Sequence, residues 1–349
     1  MHTGNREEAL GVNLTPIIKK RILTLDDLRR RSLAVDANNY LYQFLSLIRT
    51  KDGTPLKDLR GNITSHLAGL MFRSTRLIHD FDMKLIFVFD GHPPKLKKKE
   101  IKRRREQREK ALREWRIALQ EHDYKKAFSK AVMTSRLTQS MIEDAKKLLR
   151  LLGIPYVQAP SEAEAQAAYM AMQGDVWAAS SKDYDCVLFG SPNLVRFLTI
   201  YGREYLPSKG MTRPIKPELI NLQEFLSHHR ITRPQLVDLA ILVGTDFNKG
   251  IKGVGPKTAL KLIKEYGRIE DLPRRFQLDT LEYVEVRKIY LAPETTSNYN
   301  LKLGPLCEEE LYCFLCDQRG FNRKRVELAA RRMKQVCRKG EQIGLERWF

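Results

Sequence analysis

The chain has 349 residues, 42% of them hydrophobic, enough for one large domain or two ordinary ones with a real core. Its 62 Lys and Arg outnumber 42 Asp and Glu, and the net charge of +20 favours a polyanionic partner, most commonly nucleic acid. No apolar run approaches the roughly 20 residues of a membrane span, the first ten residues lack a signal peptide's apolar centre, and five scattered cysteines suit a reducing compartment. A membrane-embedded or disulfide-framed secreted protein is excluded, and a soluble cytoplasmic one is expected.

In chain order, Ser32-Leu33-Ala34-Val35-Asp36 is a short apolar run ending in an acid, and Ala37 to Leu45 reads as a helix. Helical apolar spacing returns from Ile63 to Ile78. Lys84 to Gly91 repeats the strand pattern, β-rich and suited to burial on both faces, with Asp90 at its end. Asp175 to Ser180 is a third candidate strand, leading into Asp183 and Asp185. Strands alternating with helices predict an α/β fold with a mostly parallel sheet covered on both faces, in which ligands bind beyond the carboxyl ends of the strands. Asp36, Asp90, Asp183 and Asp185 fall at such ends, and Asp246 is grouped with them.

From Lys95 to Arg116 there are twelve Lys and Arg against four Glu, in a run of good helix formers behind Pro93-Pro94. Such a run is usually a solvated face, but this one follows Asp90 directly and would neutralise phosphates delivered to the acids. Leu112, Trp115, Leu119, Tyr124 and Phe128 behind it read as helix packing. Ser140 to Leu152 is an amphipathic helix stopped by Gly153.

Pro160-Ser161-Glu162-Ala163-Glu164 opens a helix to about Met172, and Ser181-Lys182-Asp183-Tyr184-Asp185 follows the third strand. Ser161 with Glu164 fits a capping box, and the two Asp fit ordinary turns. Alternatively, these pairs of acids repel one another unless cations such as Mg²⁺ or Mn²⁺ sit among them. Glu162 and Glu164 can share one site only because they lie in the first turn of the helix.

Leu236 to Val243 is apolar and ends in Gly244-Thr245-Asp246; Gly250 to Thr258 then resembles a P-loop, but Pro256 breaks the pattern, so an ATPase is rejected. A Gly-rich hairpin between two helices, gripping a nucleic-acid phosphate through backbone N–H groups, is the better reading. Leu281 to Tyr299 reads as a loop, while Glu308 to Phe314 and Asn322 to Val336 read as helices. Cys313 and Cys316 form a CxxC flanked by Cys307 and Cys337, expected to be buried reduced thiols rather than a zinc site.

Val35-Asp36-Ala37, Val88-Phe89-Asp90-Gly91 with Pro93-Pro94, Ala159 to Ala165, Asp183-Tyr184-Asp185-Cys186, Gly244-Thr245-Asp246 and the hairpin 250–258 together closely resemble the archaeal flap endonucleases of the XPG-type structure-specific 5′ nuclease family. The match runs from Gly11 to Phe349. The resemblance implies a PIN-like α/β nuclease core with a helical arch over the active site and a helix-two-turn-helix DNA clamp. It implies a nuclease region 11–135 with its arch at about 93–135, a second nuclease region 136–265 with the clamp at about 236–266, a helical region 266–340 and a tail 341–349. It implies 5′ flap endonuclease and 5′-3′ exonuclease activity in Okazaki-fragment processing and repair, with bubble or Holliday-junction cleavage, or non-catalytic binding of DNA structures, as alternatives. The implied metal-binding acids are Asp36, Asp90, Glu162, Glu164, Asp183, Asp185 and Asp246, holding two Mg²⁺ that Mn²⁺ can replace, with K⁺ at the clamp. Lys97 and Arg104 match the arch cations, Arg73 a basic residue near the site and Tyr42 a base-stacking aromatic, while Gly253, Gly255 and Lys257 would contact DNA. Gln342, Leu345, Trp348 and Phe349, after an expected helix stop at Gly340, resemble the family's motif for the sliding clamp PCNA. A monomer in a prokaryotic, nucleoid-associated setting is expected. Family members begin Met-Gly, so Leu10 is read as an alternative start codon, Gly11 as the mature N-terminus and residues 1–10 as non-native or disordered.

Overall fold

The computed structural model describes residues 11–50, 53–199, 202–206, 211–276 and 279–346. Strand β1 (Arg21–Ile22) precedes β2 (Ser32–Asp36), helices α1 (Ala37–Leu47) and α2 (Ser65–Phe81), and β3 (Lys84–Phe89). The chain leaves the sheet as the long α3 (Lys98–Gln120), turns back as α4 (Tyr124–Met133) and returns through α5 (Gln139–Leu151) to β4 (Tyr156–Gln158). Then follow α6 (Ala163–Met172), β5 (Ala178–Ser180), α7 (Asp185–Leu188), β6 (Asn193–Arg196), the hairpin β7 (Gly202–Leu206) and β8 (Met211–Ile215), and β9 (Glu218–Asn221). The remainder is helical: α8 (Leu222–His229), α9 (Arg233–Val243), α10 (Pro256–Tyr266), α11 (Thr280–Leu291), α12 (Glu308–Tyr312) and α13 (Arg323–Glu346).

Seven strands form one sheet in the order β1-β9-β6-β5-β2-β3-β4. The run from β6 to β4 is parallel, and β9 and β1 add antiparallel at the other edge. The period-two pleat explains why the strands read as continuous apolar runs. Leu33, Val35, Leu85, Phe87 and Phe89 face a core shared with α1, α2, α5 and α13, while Ala34, Ile86 and Val88 face a second core shared with α6, α9, α10 and α11. Parallel order puts the carboxyl ends of β2, β3 and β5 side by side, which is where the acids lie. Among the described residues no helix is long and apolar enough to cross a membrane.

Several local expectations change. The third strand is only Ala178–Ser180, because Gly174 takes a positive φ of 79° and Asp175 and Val176 close α6 through the Met170 carbonyl, while Trp177 donates to the Ser32 carbonyl at the start of β2. The expected loop from Leu281 is largely helix α11, whose Tyr283, Val286 and Tyr290 recur three and four residues apart and are buried. Asp246 follows a helix, α9, rather than a strand. Helix α13 runs through Gly340 to Glu346, so Gly340 is no stop; a glycine inside a helix costs only about 1 kcal/mol. Gln342 and Leu345 therefore belong to the end of α13, while Trp348, Phe349 and residues 1–10 lie outside the described residues. Of the thiols only Cys186 is buried; Cys313 is exposed, since the CxxC falls in a π-helical turn, Cys313–Gln318, at the surface.

Candidate active site

Each acid reaches the strand ends by its own device. Asp36 closes β2 and caps α1, accepting the Asn39 N–H at 3.0 Å. Asp90 stands just past β3 and accepts the N–H of Ala163, the first residue of α6, at 2.8 Å. That bond overturns the expected capping box. Ser161 Oγ donates instead to the His92 carbonyl, Glu162 is the cap residue without a capping side-chain bond, and Glu164 accepts from Ser181 Oγ at 2.8 Å. The helix N-terminus is thus capped from a neighbouring strand, which frees both Glu side chains for the site. Asp183 follows β5; its carboxylate accepts from the Asn39 side chain at 2.7 Å. Asp185 opens α7 and accepts from the Tyr290 hydroxyl at 3.3 Å. Asp246 is carried by a turn in which Thr245 bonds Asn248 through both backbone and side chain.

Gly11 fits tightly among them. Its N–H donates to Asp246 at 3.2 Å, its φ is +73°, and a Cβ there would stand 2.7 Å from an Asp185 oxygen. A side chain at this position is therefore excluded twice, by backbone conformation and by space.

Two cations enter from the start of the basic segment. Lys97 Nζ donates to Glu162 and lies 3.8 Å from Asp246. Arg104 Nη2 donates to both Asp246 oxygens at 2.7 Å while its Nε holds Glu100 at 2.8 Å. Burial alone would push the Lys97 amine down, but Glu162, Asp90 and Asp246 overcome it and hold it above its ordinary value. The carboxylates show the opposite imbalance. Burial, reinforced by neighbouring acids, raises Glu164 and Asp185 well above the carboxylate range; for Glu164 the strongest acidic neighbour is Asp185, for Asp185 it is Asp246. Asp36 is raised by burial and by Asp90, and Asp183 is pushed up to about 6 by burial against the pull of Lys182. Burial also raises Glu162, partly countered by Lys97.

The other expected residues lie apart from this cluster or on its rim. The Tyr42 hydroxyl accepts from Arg108 of α3 at 3.0 Å, joining α1 to the basic helix. Arg73, on α2, donates to the Thr199 carbonyl. Gly253 has a φ of +85° with open space beside it, Gly255 precedes α10, and Lys257 is exposed on that helix's first turn. Asn39 and Ser181 were not singled out by the sequence, although both sit within three residues of a named acid; Ser181 Oγ contacts Glu164, Asp36 and the Asp183 N–H.

The donor set is all oxygen and carries more negative charge than Lys97 and Arg104 balance, which fits hard divalent cations. Among the described residues no three of the acids yet close around one point, and the two cations stand among them instead. Carboxylates raised by burial and by mutual repulsion gain most from such an ion, because it offsets both and favours their charged form.

Family models described as the XPG N-terminal domain and the XPG I-region match residues 11–111 and 153–246. Flap endonuclease 1 of Pyrococcus abyssi is 47% identical over 342 residues, 97% of this chain and 98% of that protein. The solved flap endonuclease-1 of Methanococcus jannaschii superposes with a TM-score of 0.76 at 40% identity, over 95% of this chain and 100% of that one. The catalytic core of Rad2, in complex with DNA substrate, shares the fold at a TM-score of 0.66 and 23% identity, over 90% and 96% of the two chains. With this identity along nearly its whole length, the chain belongs to the flap endonuclease family of XPG-type nucleases.

Proposed function

We propose that the chain hydrolyses phosphodiester bonds near single-/double-strand junctions, as a 5′ flap endonuclease and 5′-3′ exonuclease serving Okazaki-fragment processing and repair. The observation that carries the reading is that seven carboxylates from five places in the chain act on one another, with two cations from the basic helical segment paired to Glu162 and Asp246. The family is generally dependent on divalent metal, and Mg²⁺, replaceable by Mn²⁺, suits this oxygen set. Asp36, Asp90, Glu162, Glu164, Asp183, Asp185 and Asp246 would hold two such ions, which when bound supply an activated water and charge stabilisation of the leaving oxygen.

The chain's own part is electrostatic and positional. Lys97 and Arg104 would face the scissile phosphate, adding fixed positive charge where negative charge develops. Helix α3 supplies the surrounding positive field, and Tyr42 offers a ring on which a base can stack. Gly253, Gly255 and Lys257, at the N-terminus of α10, would grip a phosphate of the duplex without reading its bases, with K⁺ an added ligand of that hairpin. Gln342, Leu345, Trp348 and Phe349 would anchor a PCNA-type sliding clamp, the enzyme itself acting as a monomer.

The test offers 5′-flap, bubble and four-way-junction DNA to the full chain, each with Mg²⁺ or EDTA. Preferential cutting of the flap substrate in Mg²⁺, and none in EDTA, is expected. Equal cutting in EDTA, or a preference for four-way junctions, would overturn the reading.

A further inference from the structure

We propose that Asn39, oriented by Gln43, is a positioning residue that fixes Asp183 relative to Asp36. The inference rests on the reading of those two acids as metal ligands. Asn39 lies in the first turn of α1 and touches both. Its backbone N–H donates to Asp36 at 3.0 Å and its side-chain Nδ2 donates to Asp183 at 2.7 Å. One residue therefore spans acids carried by β2 and by the loop after β5, whose separation the backbone alone leaves adjustable.

A carboxamide has a donor end and an acceptor end of nearly equal shape, so the contact with Asp183 needs a device that selects the donor end. Gln43, one helical turn later, supplies it: Gln43 Nε2 donates to Asn39 Oδ1. Turning the Asn39 amide over would set its oxygen against the Asp183 carboxylate and its N–H₂ against the Gln43 N–H₂, two repulsive contacts in place of two hydrogen bonds. Gln43 is buried, and its own oxygen has no hydrogen-bond partner. Buried polar groups are rarely left so; here the unmet acceptor follows from aiming the donor at Asn39. Gln43 also neighbours Tyr42, whose hydroxyl bonds Arg108 of α3. The same turn of α1 thus carries the amide relay and a contact to the basic helix.

Groups that orient metal ligands without touching the metal are commonly worth about 10–100-fold in metal affinity. The experiment measures Mn²⁺ binding to the full chain by calorimetry without DNA, then kcat and KM on a 5′-flap substrate at saturating metal. Asn39→Ala should weaken Mn²⁺ about 10-fold and lower kcat, with KM for the flap unchanged. Gln43→Met, which keeps volume but removes the donor, should move both quantities the same way by about 3-fold, roughly the square root of that loss. Gln43→Met carries the test alone if Asn39→Ala does not fold. Unchanged Mn²⁺ affinity and kcat in a folded variant, beside a wild type that binds Mn²⁺ and cuts flaps, overturns the positioning role. A wild type that does neither overturns the functional reading, and this inference with it.

Discussion

Two charged clusters in this molecule are built from similar parts and differ in how directly their acids are paired. Between α9 and α11, Arg287 donates to both Asp238 oxygens at 2.8 Å and to Glu270 at 2.7 Å. The Arg287 hydrogen bond holds Glu270 below its ordinary value, and although burial raises Asp238, its guanidinium partner opposes that rise. In the acid cluster, by contrast, among the described residues only Glu162 and Asp246 of the seven carboxylates pair with Lys97 and Arg104, and burial with mutual repulsion pushes several of the acids up. A cluster in which every acid is hydrogen-bonded directly to the shared cation holds helices together. A cluster that leaves its charge unsettled stores a demand for a cation, and that demand marks a functional site.

The sharpest way to break this comparison is to neutralise one member of each cluster. Arg287→Met should destabilise the protein by about 3 kcal/mol, because it strands a buried carboxylate. That loss lowers the melting temperature by about 4 °C, while cleavage per folded molecule is kept. Asp185→Asn should do the reverse. It removes a charge disfavoured by burial and by Asp246 and Asp183 and keeps an oxygen for the Tyr290 hydroxyl, so the metal-free melting temperature rises by about 1–2 °C, near 1 kcal/mol. Flap cleavage should fall by at least about 10²-fold. A destabilised Asp185→Asn, or an Arg287→Met that melts like wild type, contradicts the distinction between the clusters.

A finer test uses pH. The Asp183 carboxyl rises from 3.8 to about 6 on folding, so above pH 6 the folded chain carries a charge that its surroundings disfavour. This penalty is fully present near neutral pH and fades as pH falls through 6 toward 4. Buried His66 works the other way: burial lowers it from 6.5 to about 3, so its contribution to stability is lost as pH falls below 6.5. The two effects oppose each other in wild type but separate in a difference. The stabilisation of metal-free protein by Asp183→Asn should be larger at pH 7.5 than at pH 5.5, since His66 cancels between the two proteins. Saturating Mg²⁺ should abolish it. Melting curves of both proteins with EDTA or Mg²⁺ decide this, and a gain that grows toward acid pH would contradict the raised Asp183.

How far the sequence could be read follows from the range of each interaction. The parallel core was legible because Leu33 to Val35 and Leu85 to Phe89 are apolar on both faces, and Asp36 and Asp90 because they end those runs. The basic helix α3 was legible as a local excess of Lys and Arg. What stayed hidden crosses between elements. Asp90 caps α6 from another strand, so Ser161 and Glu164 looked like a capping box that does not form. The Gly11 N–H meets Asp246 across 235 residues, and the Tyr290 hydroxyl meets Asp185 across 105. Helix α11 was missed because its buried stripe of Tyr283, Val286 and Tyr290 is blurred by the exposed apolar Leu281 and Val284. Asn39 read as one helical residue among several, since nothing local tells which end of its amide meets Asp183.

The smallest expected effect concerns a third region, where positive charge is unsettled instead of negative. Lys257, Lys261 and Lys264 lie exposed along α10 and, with Leu260 and Glu265, line an open groove of about 440 Å³. Lys257→Ala leaves the helix intact, as the residue is exposed and Ala is a good helix former. If Lys257 neutralises one duplex phosphate, its loss should reduce the slope of log affinity against log salt by about 1, equally for flap and plain duplex DNA. The rate at saturating DNA should stay as in wild type. A fall in that rate, or a loss confined to flaps, would place Lys257 with the acid cluster and its two cations and would remove the division between gripping the duplex and cutting it.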